Sequence, residues 1–170
     1  MWFDDSRYNN YTGFEAAVLQ HELKQSKPFR NLEQEVILNV LRTAEHLGSE
    51  LAEVMRQADV TFTQYNALRI LRGAGPGGLT CGEISERMVT KDSDITRLLD
   101  RLEKRKLIIR ERPEANRRVV QTRITDQGLK LLTSLDRPLL ECERRLLGHL
   151  GREKLTALRD LLEAARKREG

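Results

Sequence analysis

The sequence predicts a mainly α-helical chain carrying one small β-hairpin, an α+β arrangement. Three observations predict it. Two stretches with capping-box spacing, Thr61 to Gln64 and Thr80 to Glu83, each open a short helix. The apolar-rich runs LIIR and VVQTRIT flank a Pro-Glu-Ala-Asn break, which is the pattern of a hairpin. Long amphipathic segments lie on both sides of this region. A chain of 170 residues is one domain, or two small subdomains sharing a core, and can bury an interior without staples.

Residues 1–31 are the least regular. Trp2, Phe3, Tyr8, Tyr11 and Phe14 follow no clear period, and a helix is expected from about Phe14 to Lys24 before Pro28 stops it. This stretch reads as an N-terminal arm, either partly disordered or docked on a partner subunit. From Leu32, apolar residues at Val36, Ile37, Val40, Leu41, Ala44, Leu47, Leu51, Val54 and Met55 recur at three- and four-residue steps, giving one long helix that ends near Ala58.

Residues 59–124 form a distinct lobe. TFTQ starts a helix with Leu68, Ile70 and Leu71 that ends in GAGPGG, and TCGE starts a shorter one running through Met88. After the turn VTKD, Asp92 or Ser93 caps a third helix carrying Ile95, Leu98, Leu99 and Leu102. Three short helices followed by a hairpin make a winged helix-turn-helix. Thr125 then caps a long helix running to about Leu147, with a kink expected at Pro138. HLGRE breaks the chain before a last helix, Lys154 to Lys167. The helical regions 32–58 and 125–170 are more apolar than a small lobe can cover, and their simplest use is to bury one another across a two-fold axis as a homodimer.

Composition narrows the function classes. The two cysteines, Cys81 and Cys142, lie in helical segments and suit a reducing compartment better than a disulfide scaffold. No apolar run reaches the ~20 residues that span a bilayer, and the first residues lack the pattern of a signal peptide, so a cytoplasmic protein with no membrane partner is expected. His21, His46 and His149 form no motif at metal or catalytic spacing, and GAGPGG lacks the Lys and Ser or Thr of a phosphate loop. Neither an enzyme nor a cofactor is expected.

The charge is unevenly placed. Residues 91–123 hold eleven Lys or Arg against six Asp or Glu, a net +5, while the whole chain carries +4. Such concentration is the electrostatic footprint of a polyanion partner. The apolar stripe of the third helix leaves Ser93, Asp94, Thr96, Arg97, Asp100 and Arg101 on or beside its open face. A helix start favours phosphate, and short Ser and Thr side chains permit close approach to base edges. Arg97 is long enough to donate two hydrogen bonds to a guanine, and Arg101, one turn on, reaches a phosphate. The hairpin tip adds Arg112, Asn116, Arg117 and Arg118. Basic residues on the outer face of an amphipathic helix are also what a solvated surface carries, with Asp100 and Glu103 alternating as in ordinary helix ion pairs. The succession of helix, hairpin and charge favours double-stranded DNA.

At TFTQYNALRIL, LTCGEISERM, DSDITRLLDRLEKRKLIIRERPEANRRVV and RITDQGLKLL the chain resembles the MarR-type transcriptional regulators, over roughly residues 32 to 165. The resemblance implies a triangular homodimer with two winged lobes on a pseudo-palindromic operator, dimerised through the helices at both chain ends. It further implies repression of nearby genes, relieved by a small phenolic or other aromatic ligand held between the dimer helices and the lobe, where His46, Tyr65 and Arg72 are the candidate contacts. Two departures stand out: Asn116 replaces the aspartate that orients a wing arginine, and Lys106 replaces a glycine before the first wing strand. Two rival functions remain open. One is a winged-helix protein-interaction module. The other is a thiol-responsive regulator using Cys81, which follows the cap Thr80 at a helix start.

Overall fold

The computed structural model describes residues 18–90, 94–112 and 119–167. Its elements follow in the order α1 (Val18–Glu22), α2 (Leu32–Arg56), α3 (Phe62–Ala74), α4 (Cys81–Arg87), α5 (Ile95–Lys104), β1 (Ile108–Glu111), β2 (Gln121–Ile124), α6 (Asp126–Leu147) and α7 (Gly151–Arg166). Single 3-10 turns follow α3 at Gly75–Gly77 and α6 at Gly148–Leu150. This is the helical fold with one two-stranded sheet that the patterns predict. The chain divides into two compact units, with the boundary after Gly48.

In the first unit α1 ends at Glu22, short of Lys24, and the chain turns at Lys24 with φ 52 rather than at Pro28. The expected start of this helix near Phe14 lies outside the described residues. The long helix α2 begins where the Asn31 side chain accepts the Gln34 N–H at 2.9 Å, satisfying one orphan donor, while the Gln34 side chain accepts the Arg30 N–H at 2.8 Å. Along α2, Leu32, Val36, Ile37, Val40 and Leu41 stay 43–61% exposed.

In the second unit both expected capping boxes form. The Thr61 side chain accepts from Gln64 N–H at 3.2 Å while Gln64 accepts from Thr61 N–H at 3.0 Å. At α4 Thr80 and Glu83 do the same at 3.3 and 2.8 Å. The hydrogen bond from the Thr80 backbone holds the Glu83 carboxyl below its ordinary range. Each cap contributes about 1 kcal/mol, but burial decides the fold. Leu68 and Leu71 of α3, Ile84 of α4, Leu99 and Leu102 of α5, Leu107 and Ile108 at the start of β1, and Leu132 of α6 form one core with almost no exposure. A second cluster joins Met55, Val60, Leu135 and Leu139.

The sheet pairs β1 with β2 antiparallel, Ile108 opposite Ile124 and Glu111 opposite Gln121. Leu79, just before α4, adds a bridge to Thr122, with Leu79 N–H to Thr122 O at 3.0 Å and the reverse bond at 2.8 Å. The hairpin is thereby tied to the helices by backbone as well as side chains. Thr125 caps α6, accepting from Gly128 N–H at 3.1 Å, and Pro138 lies inside that helix. The last helix starts at Gly151, earlier than the expected Lys154, because Gly151 at φ 70 redirects the chain from the 3-10 turn directly into helix. On α7 Leu158 and Leu161 are exposed.

Candidate nucleic-acid interface

Helix α5 is set by its two ends. At the start the cap is Asp94, not the expected Asp92 or Ser93: its Oδ1 accepts the Arg97 N–H at 3.2 Å, and the helix runs Ile95–Lys104. A carboxylate at this position satisfies a free donor and complements the helix dipole. At the other end Lys106 adopts φ 58, its N–H bonded to Glu103 O at 2.8 Å and the Leu107 N–H to Leu102 O at 3.0 Å. That is the left-handed helix stop usually given to glycine. Lysine lacks glycine's freedom at positive φ, yet the chain takes this conformation, and Thr125 Oγ1 donates to Lys106 O at 2.7 Å.

Leu98, Leu99 and Leu102 face the core, with Ile95 packed against it. Thr96, Arg97 and Arg101 point away and are exposed, as the periodicity predicts. Arg97 folds back on the cap, its Nε 3.0 Å from Asp94 Oδ2, with the arginine side chain 79% exposed. An exposed pair of this kind is worth only about 0.5 kcal/mol, so the guanidinium is readily surrendered to a stronger acceptor. Arg101 and Lys104 have no ion-pair partner among the described residues. A cleft of about 200 Å³ lies between Thr61, Thr63 and Gln64 at the start of α3 and Asp94, Arg97, Leu98 and Arg101 of α5.

Two arginines of the basic stretch tie α5 to other elements. Arg105 bonds the carbonyl oxygens of Asp59 and Ala58 and lies 3.5 Å from the Asp59 carboxylate, fastening the end of α5 to the turn after α2. Arg110 on β1 reaches across to α5, where its Nη2 lies 2.5 Å from both Asp100 Oδ1 and Glu103 Oε2, and its Nε donates to Glu103 Oε2 at 2.9 Å. The alternation of Asp100 and Glu103 with basic residues therefore does not mark pairs within the helix; both acids serve the first hairpin strand. Sequence spacing could not reveal this, because the pairing depends on how the strand crosses the helix.

On the hairpin, Arg112 is exposed at the end of β1, and Arg123 pairs with Glu111 at 3.3 Å across the strands. Ser93 and the tip residues Asn116, Arg117 and Arg118 lie outside the described residues.

The candidate effector contacts are divided between the two units. His46 lies on α2 in the first unit and is exposed. Tyr65 and Arg72 share α3, where Arg72 makes a two-point ion pair with Asp136 of α6 at 2.9 and 3.0 Å. Arg69 lies between them, donating to the Tyr65 hydroxyl at 3.2 Å and standing 3.9 Å from Asp136. The hydrogen bonds from Arg72 hold the Asp136 carboxyl below its ordinary value. Cys81 is half-buried at the first turn of α4, and Cys142 is buried among the α6 leucines. No group of three His, Cys, Asp or Glu among the described residues is placed to hold a metal ion, and no helix among them is long and apolar enough to cross a membrane.

Comparison with known proteins agrees with this geometry. Residues 58–119 match the sequence profile of the MarR family. A MarR transcription factor from Planctomyces limnophilus, known from a crystal structure, is 41% identical, with 80% of this chain and 98% of that chain covered and a TM-score of 0.62. The HTH-type transcriptional regulator FarR of Neisseria gonorrhoeae is 28% identical over 142 residues, 84% of this chain and 96% of the relative. A variant of MarR from E. coli, solved in complex with operator DNA, has the same fold, with a TM-score of 0.71 at 20% identity over 81% of this chain and 99% of its own. With a relative 41% identical along 98% of that relative's length, and with the family's profile lying on the helices and hairpin described above, the chain belongs to the MarR family of DNA-binding transcriptional regulators.

Proposed function

We propose that the protein is a homodimeric repressor that reads a pseudo-palindromic operator and is released from it by a small aromatic ligand. The observation that carries the DNA-reading part is the outer face of α5: Thr96, Arg97 and Arg101 stand exposed on a helix whose start is capped and whose end is fastened by Arg105 and Arg110. A helix held this firmly enters the major groove at low entropic cost. Arg97, held by an exposed pair with Asp94, reads a guanine, and Arg101 holds a phosphate. Arg112, with Asn116, Arg117 and Arg118 beyond it, supplies backbone or minor-groove contacts beside the helix.

Dimerisation through residues 32–58 and 125–170 is supported by apolar side chains left open on helices of each unit: Val36, Ile37 and Leu41 on α2, and Leu158 and Leu161 on α7. Two copies place their α5 helices in half-sites about 34 Å apart. For the effector, His46, Tyr65 and Arg72 remain the candidate contacts. Arg72 is committed to Asp136, so an anionic ligand there must compete with that carboxylate.

A gel shift of the purified protein on the DNA upstream of its own gene, at two salt concentrations, tests the reading. A shift that weakens steeply with salt is expected. Absence of any shift in low salt overturns the DNA-binding role and leaves the protein-docking alternative.

A further inference from the structure

Helix α5 poses an electrostatic problem that rests on the DNA-binding reading. Between residues 94 and 104 it holds Asp94, Asp100 and Glu103 against Arg97, Arg101 and Lys104, a formal charge of zero. A neutral helix gains nothing from a polyanion's field, and carboxylates near phosphates repel them. Asp94 is occupied at the cap. We infer that Arg110 is a positioning residue that masks the other two acids: from β1 it gathers Asp100 and Glu103 onto one guanidinium, so that α5 offers DNA a positive face composed of Arg97, Arg101 and Lys104.

The geometry suits that role. The Arg110 side chain is 26% exposed while Asp100 and Glu103 are 43% and 38% exposed, so the arginine is packed beneath carboxylates that remain close to the surface. Nη2 contacts both acids at 2.5 Å and Nε adds a second hydrogen bond to Glu103 Oε2 at 2.9 Å, so one guanidinium holds both carboxylates in a fixed orientation. Arg97 and Arg101 lie on the cleft shared with α3, whereas Asp100 and Glu103 are turned to β1. Beyond the cap residue Asp94, the pairing thus sorts the charges of the helix, Asp100 and Glu103 toward the hairpin and Arg97 and Arg101 toward the cleft.

The test uses the full-length protein and a fluorescein-labelled duplex of mixed sequence, about 30 base pairs long, in low salt, because masking acts on every sequence. Arg110→Gln is expected to weaken binding about tenfold, the loss shrinking as salt screens the exposed carboxylates. Adding Asp100→Asn and Glu103→Gln to that variant is expected to return affinity to within about threefold of wild type, although no ion pair is restored. The triple variant needs no ion pair at this site, so it decides the matter even if Arg110→Gln alone unfolds. Wild-type affinity in a folded Arg110→Gln, or a triple variant that stays tenfold weak, overturns the masking role. Failure of the wild-type protein to bind the duplex at all overturns the DNA reading instead.

Discussion

Arg72 of α3 and Asp136 of α6, 64 residues apart in the chain, meet as a two-point ion pair, Nη1 at 2.9 Å from Oδ2 and Nη2 at 3.0 Å from Oδ1. The pair joins the lobe's first helix to the long helix that follows the hairpin. Because the Asp136 side chain is 43% exposed, solvent screens much of the attraction, and Asp136→Asn is expected to cost no more than about 1 kcal/mol in urea unfolding. Arg72 holds the folded carboxyl below its ordinary value of 3.8. The contribution is therefore present above that value and lost as pH falls through the lowered one. The gap between wild type and Asp136→Asn should close in strong acid; a gap that persists unchanged there contradicts the pairing.

Lys106 sits at φ 58, the conformation that glycine adopts without strain. Its side chain has no ion-pair partner among the described residues that would offset the cost. Lys106→Gly is expected to stabilise the fold by about 1 kcal/mol, a rise in the urea midpoint at unchanged slope. A lower midpoint would show that the lysine conformation is not strained.

Gly128 tests packing against propensity. Inside α6 an alanine should gain about 1 kcal/mol over glycine. Here a Cβ would stand 2.4 Å from Leu107 O and 2.7 Å from Ile124 Cγ1, so helix and hairpin would have to separate. Gly128→Ala is expected to destabilise by about 2–3 kcal/mol net, read by thermal unfolding. A neutral or stabilising result would mean that α6 does not lie this close to the hairpin.

What was legible in the sequence is what depends on near neighbours. Thr61 with Gln64 and Thr80 with Glu83 are three residues apart, so their caps follow from spacing alone, and the buried stripe Leu98, Leu99 and Leu102 follows from the helical period. The start of α5 is not legible because Asp92, Ser93 and Asp94 can each cap a helix, and only the backbone path selects Asp94. The partners of Arg110, Arg105 and Arg72, and the bridge from Leu79 to Thr122, are set by tertiary approach of distant segments, which no local period encodes. The site's basic character was visible; the division of its arginines into those fastening the helix and those left outward was not.

The central claim is that α5 reads DNA sequence through Arg97. Its most direct test is the affinity of Arg97→Ala for the operator and for a random duplex, measured side by side at one salt concentration. Loss of a two-point guanine contact should weaken operator binding by about 1–3 kcal/mol, with a much smaller change on the random duplex and relaxed preference at one base pair. An equal loss on both duplexes, or none on either, would contradict the assignment.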